Sequence, residues 1–298
     1  MILTEFDVMA LFAKWAIYVS FASLIGGTFM LSLLRDQHSE AVAIRRYIAM
    51  GACLGFIAVA INFFAQVGSF AENGFAGMFD AQMQQFLWSS PVGESVTWRI
   101  IGLSIVLIAC GSVLSPVNVL RRAAWGSLWG GGLILATAFS LLGHSAELNL
   151  AAQVMLLLHV LAIGSWVGSF YPLWRLCSHS NAALIRHVMD RFGQLGIGIV
   201  SLVAISGGVL LWQLFDEPAE LFNSNYGVAM SIKLSFVSLI LLIAALHKFI
   251  FVPRLSIGNA QIAQDKLKRS IAIEGLIALF ILTITAVLSS VFGPVSLS

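Results

Sequence analysis

Residues Ala151–Trp174 read AAQVMLLLHVLAIGSWVGSFYPLW, and no Asp, Glu, Lys or Arg interrupts them. At about 1.5 Å per helical residue, such a stretch exceeds the ~30 Å hydrocarbon core of a bilayer. A polar segment holding Arg175, Arg186 and Arg191 follows at once. A helix-length apolar run with cations at one end is the pattern of a membrane span. Seven more stretches share it: Met9–Leu34, Arg46–Phe70, Val96–Leu114, Ala123–Gly143, Arg191–Phe215, Val228–Phe251 and Ser270–Phe292. Short strands of alternating polarity, as in an outer-membrane barrel, are not seen. The expected fold is therefore all-α: a polytopic bundle of eight transmembrane helices forming one domain over residues 1–298.

Composition agrees. Of 298 residues, 59% are apolar and only 10% charged, with mean hydropathy +0.94. Soluble domains carry about 25% charged residues, so a water-soluble enzyme or a disordered chain is excluded. The net charge is +2 and the 16 Lys and Arg are scattered, which argues against a nucleic-acid partner. No Walker loop, GxGxxG, HExxH or CxxC occurs, so the chain is not expected to be an enzyme. Any transport would be passive, coupled to an ion gradient, or driven by a partner.

Charge also predicts orientation. Thirteen of the sixteen cations fall between spans 1 and 2, 3 and 4, 5 and 6, or 7 and 8. The opposite loops carry Glu72, Asp80, Glu94, Glu147, Asp216, Glu217 and Glu220 instead. Because cations stay on the cytoplasmic side, both termini are expected outside, on the periplasmic face of a bacterial inner membrane. Glu5 and Asp7, not a basic region, precede the first span, so it is expected to stay as a transmembrane helix. Cys53, Cys110 and Cys177 all fall in inner halves or ends of spans, which suggests no disulfide framework.

Sliding the chain by 141 residues aligns spans 1 and 2 with spans 5 and 6. Val19, Gly27 and Phe29 then meet Val160, Gly168 and Phe170, and Ile44-Arg45 meets Ile185-Arg186. The pattern points to a parallel 4+4 internal repeat with halves of about residues 1–147 and 148–298. Tyr18 takes the position of His159, so the histidine is not doubled.

Polar side chains are costly in hydrocarbon and mark bundle interiors, cavities or partners. Lys14 and Lys233 lie roughly 8 Å inside the outer ends of their spans, and Asn62 and His159 roughly 12 Å. Gln66 sits one turn above Asn62, while Arg99 and His144 stand at the outer mouth. The inner half holds Glu274, with His247 and Lys248 at its edge. Met155, His159, Ala162 and Trp166 recur at i, i+4, i+7, i+11 and share one stripe. Thioether sulfur favours Cu(I) and imidazole accepts either oxidation state of copper, so Met155 and His159, joined by His144, are candidate ligands. The plainer alternatives stay open: a histidine bonded to a neighbouring helix and a methionine that merely packs. Lys14, Arg99 and Lys233 either pair with Glu5, Glu94 or Glu147 or line an outer vestibule. In Gly77–Trp88, GMFDAQMQQFLW, Met78 and Asp80 could hand over a metal, or Phe79, Met83, Phe86 and Leu87 form the face of an interfacial helix. Trp88 and Trp98 suit an aromatic belt. The triple glycine at 130–132 and Gly207-Gly208 read as close helix packing.

With those residues in view, the sequence resembles the CopD/PcoD copper-resistance membrane proteins over most of its length. GHSAELNL (143–150) with LHVLAIGSWVGSFYPLWRL (158–176) is similar to the family's Gly-His-Ala and Leu-His-x-x-Ala-x-x-x-Trp-x-Gly-Gly pattern, with Ser169 replacing the last glycine. YGVAMSIKLSFVSLILLIAALHKFIFVPRL (226–255) resembles a second family segment, His247-Lys248 standing where Asn-Arg is usual. LKRSIAIEGLIAL (267–279) resembles the closing helix, with Glu274 at its acidic position. The resemblance implies an inner-membrane copper protein, as Cu(I) or Cu(II), working with a periplasmic CopC-like partner. It implies His144 and His159 as ligands and Trp166 as their packing wall. The leading expectation is a copper permease in which Asn62, Gln66, Tyr18, Lys14, Arg99 and Lys233 surround the site, with Met50 and Cys53 on the inward release path. Two rivals remain: a haem b redox protein with two axial histidines, and a copper-binding assembly subunit without flux.

Overall fold

The computed structural model describes residues 4–142, 149–215, 219–255 and 260–290, and every regular element among them is helical. Helix α1 (Glu5–Leu33) opens at Thr4, whose hydroxyl accepts the Asp7 N–H while the Asp7 carboxylate accepts the Thr4 N–H. This capping box satisfies two orphan donors and starts the helix four residues before the Met9 expected from hydropathy alone. Helix α2 (His38–Ala71) begins after a short turn, so Arg45 and Arg46 lie inside it and not in a loop. Glu72, with φ 49°, ends it in a left-handed conformation.

The segment joining α2 to the next span is structured. A 3-10 turn (Gly74–Phe79) leads into α3 (Ala81–Trp88), N-capped by Asp80, which accepts the Met83 N–H at 2.8 Å. A short helix is therefore present where one was expected, and Asp80 serves as its cap. Helices α4 (Pro91–Ser112) and α5 (Asn118–Thr137) pack against one another. Span 4 was expected to reach Gly143, but α5 closes at Thr137. The Phe139 and Ser140 N–H groups bond three residues back, tightening the last turn, and the Ser140 hydroxyl bonds the Thr137 carbonyl.

The fifth expected span divides at a soft break into α6 (Leu150–Val167) and α7 (Phe170–His179). Gly168 is pressed against the Ala22 backbone of α1, and Ser169 N–H bonds the Trp166 carbonyl, a tightened turn that re-aims the chain. Helix α8 (Ala182–Leu214) is followed by the single turn α9 (Glu220–Asn223) and by α10 (Asn225–Leu246). A π-helical turn (His247–Phe251) carries α10 into α11 (Val252–Arg254). Helix α12 (Ala260–Leu288) starts ten residues before the expected Ser270.

Among the described residues, seven helical stretches are long and apolar enough to cross a membrane: α1, α2, α4, α6–α7, α8, α10–α11 and α12. The chain is a multi-pass membrane protein. Helix α5 does not join that set; its first two turns carry Arg121 and Arg122.

Helix α1 is the hub. Ser20, Ser23, Leu24 and Gly27 on one face meet Gly51, Gly55 and Ile48 of α2, and the Ser20 hydroxyl donates to the Gly51 carbonyl at 2.8 Å. Phe21, Ala22, Ile25 and Gly26 on the other meet Gly164 of α6 and Gly168 at its C-cap. Small residues let backbones close in where lipid gives no hydrophobic drive.

Candidate functional site

Two faces of α6 do different work. Gly164, with Gly168 just past its end, seats it on α1, and His159 turns toward α8. His159 Nδ1 lies 3.1 Å from Ser206 Oγ. The Ser206 hydroxyl gives its hydrogen to the Leu202 carbonyl one turn back, so its oxygen can only accept from the ring. With the proton on Nδ1, the tautomer this contact favours, Nε2 carries the lone pair; the ring also bonds the Val203 backbone on α8. Gly207 makes room for the ring: a Cβ there would stand 3.0 Å from His159 Cε1. Ser206 is fully buried and His159 half-buried. Lys233 on α10 is near enough to act electrostatically on the imidazole. Met155 is half-buried one turn before His159, and Trp166 is buried, its ring centroid 6.3 Å from that of Phe170.

A second polar group gathers where α1 and α4 begin and α5 and α12 end. Lys14 Nζ donates to the Ser289 carbonyl at 2.8 Å, and the Tyr18 hydroxyl lies 3.0 Å from Ser289 Oγ. The buried Arg99 guanidinium stacks over Phe139, 5.6 Å from its centroid, and Phe139 also packs on Tyr18 and Phe21. Such a contact favours a cation where water is excluded. None of the ion pairs among the described residues involves Lys14, Arg99 or Lys233; Glu94 instead accepts from the Trp98 indole.

The remaining expected site residues are dispersed. Asn62 is buried in α2, and its carbonyl accepts from Gln66 at 3.3 Å. Because α2 and α6 hold opposite faces of α1, these amides are not brought to His159. Met50 and Cys53 are exposed on the outer surface of α2. His144 and Glu147 lie outside the described residues. Among those described, no three His, Cys, Asp or Glu side chains stand together to hold a metal.

Several partners were not singled out from sequence. Ser206 carries no motif, although its neighbour Gly207 was read as a packing glycine and does pack, against His159. Phe139 and Ser289 hold the cationic group. Arg175, counted among loop cations, lies in α7 and pairs with the buried Glu40 of α2 at 3.2 Å. On α12, Gln264 donates to the Cys177 carbonyl at the end of α7.

Among the described residues, seven helical stretches apolar enough to cross, with a histidine held by a hydroxyl between two of them, define a multi-pass membrane protein with a polar contact inside its bundle. Family comparison makes this specific. The model of the copper resistance protein D-like N-terminal domain matches residues 5–154, and that of copper resistance protein D matches residues 186–288. The chain belongs to the copper resistance protein D family. It is 25% identical over 293 residues to copper transport protein CutJ of Bacillus subtilis (strain 168), covering 93% of this chain and 52% of that relative. The chain thus spans about half the length of the curated relative it matches. No solved structure matches it.

Proposed function

We propose that the protein moves copper across the inner membrane, without chemical change to any other substrate, through a site whose fixed element is His159. The observation that carries this reading is the held imidazole: Ser206 lies against Nδ1, and the tautomer with its proton there leaves Nε2 as the nitrogen able to bind a metal. A hydrogen bond to the second ring nitrogen is how metal-binding histidines are aimed. Met155 supplies a soft sulfur one turn away, and His144 completes the ligand set from the segment before α6. Lys233 keeps the surroundings cationic and so favours passage over tight capture.

The reading includes eight spans, α5 being the eighth, in a parallel 4+4 repeat with both termini periplasmic. Contacts support it. The starts of α1 and α4 meet the ends of α5 and α12 through Lys14, Ser289, Arg99 and Phe139. The starts of α2 and α12 meet α7 through Glu40–Arg175 and Gln264–Cys177. Packing of α1 with α2 and α4 with α5 is echoed by α6 with α8 and α10 with α12. A CopC-like periplasmic protein is the proposed donor or acceptor.

Metal content and an absorption scan of untagged protein, purified without chelators, test the assignment. About one copper per chain, lost in His159→Ala with the fold retained, is expected, followed by copper flux in sealed vesicles. Full occupancy in that variant would sink the site. A Soret band with little copper would replace it with haem, and bound copper without flux would make the chain an assembly subunit.

A further inference from the structure

Far along the chain from His159, a second buried histidine is paired with a carboxylate. His247 is the first residue of the π-helical turn, and its Nδ1 lies 3.4 Å from Glu274 Oε2 on α12. Its Nε2 lies 2.7 Å from Ser270 Oγ, one turn before Glu274. Exposure is 6% for His247 and 2% for Glu274, and Glu274 Oε1 has no partner among the described residues. π-Helical turns inside α-helices recur at functional sites because they turn one side chain out of register. Here the turn brings His247 onto α12.

Nearby cations sit in the same elements but are engaged elsewhere or form no ion pair with the dyad among the described residues: Lys268 lies over the Trp174 ring, and Arg254 and Arg269 are in none of the ion pairs. Phe251 of the same turn covers the imidazole, with ring centroids 5.8 Å apart, and Lys248 is turned to the Phe249 ring at 6.0 Å. On α8, Arg186 pairs with Asp190, and among the described residues no ion pair joins α8 or α11 to the dyad. A buried ionised carboxylate facing a neutral imidazole is an uncompensated charge, which apolar surroundings penalise by several kcal/mol or more. One proton, on the carboxyl or on the imidazole, makes the pair neutral overall. Carboxylate–histidine pairs inside membranes serve proton pathways for this reason.

We propose that His247, Ser270 and Glu274 form a proton-binding site at the basic-loop end of α10 and α12, loaded and emptied once per copper moved. In each cycle the proton enters from water on one side of the membrane, is held between the Glu274 carboxylate and His247 Nδ1, and leaves to water on the other side; no electron transfer is involved. The coupling half of this statement rests on the transport reading above, whereas the proton-binding half does not.

The test uses the full chain in lipid vesicles. Infrared difference spectra across a pH titration should show a buried protonated carboxyl band in wild type that is absent in Glu274→Gln and displaced in pH in His247→Asn. Copper flux in wild type should respond to an imposed pH gradient, and the response should vanish in both variants. Both substitutions keep a polar side chain of similar size, and gel filtration confirms their folding. A wild-type spectrum without the band, or a band that survives Glu274→Gln, would overturn the proton site. Flux equally indifferent to the gradient in all three proteins would overturn the coupling. Absence of copper flux from wild type would instead remove the transport reading, and the infrared band would still decide the proton site.

Discussion

A histidine in a membrane helix is ambiguous until the partner of each ring nitrogen is known. For His159 the partner of Nδ1 is Ser206, whose hydroxyl faces the carbonyls one turn back and whose oxygen is thereby turned to accept from the ring. Removing that oxygen in Ser206→Ala frees the ring to rotate and change tautomer. Losses of this kind typically cost 10–100-fold in metal affinity. We expect copper dissociation constants, measured by chelator competition, to weaken by about ten-fold or more in Ser206→Ala. Thr285→Ala, which deletes another hydroxyl bonded to a carbonyl one turn back, should leave them unchanged. Equal effects from both would mean that Ser206 acts on helix stability and not on the imidazole.

At the scale of elements, the α1–α6 crossing is set by glycine. A methyl group at Gly168 would penetrate the Ala22 carbonyl, and one at Gly26 would meet the Gly168 backbone, whereas Gly208 on α8 faces open space. Overpacking of this kind costs typically 1–3 kcal/mol. Gly168→Ala should lower the thermal midpoint in detergent, and Gly208→Ala should not; equal shifts would show that the crossing tolerates separation. Most helices were legible from sequence because hydropathy and charge report directly on burial in lipid. Their ends were less so, since Thr4–Asp7 capping and the tightened turn at Phe139 are local hydrogen-bond events invisible to a hydropathy window. The same limit governs the site. Spacing placed Met155 and His159 on one stripe, but grouping Asn62 and Gln66 with them used depth alone, and depth says nothing about which side of α1 a residue occupies. Ser206 and Phe139 were not legible, because a serine in a helix and a phenylalanine after one are commonplace until their neighbours are known.

For the whole molecule, the open quantity is the number of crossings, and it turns on α5. Its composition, with Arg121 and Arg122 near its start, leaves it outside the set of clear spans. Its ends, however, bridge the same thickness as α4: Phe139, just past its C-terminus, reaches Arg99 in the third turn of α4 and Tyr18 in α1. With α5 crossing, the turn at Glu72 and the turn at Ser180 lie on opposite sides of the membrane. Without it, the chain re-enters α6 from the other face and both turns lie on the same side. Single cysteines at Glu72 and Ser180, in a background lacking Cys53, Cys110 and Cys177, separate the two cases. With an impermeant maleimide added outside intact cells, Glu72→Cys should react at once and Ser180→Cys only after permeabilisation. Reaction of both from outside would reduce the bundle to seven crossings and reverse α6. The His159 imidazole would then lie nearer the cytoplasmic face, and copper would have to reach it from within the cell.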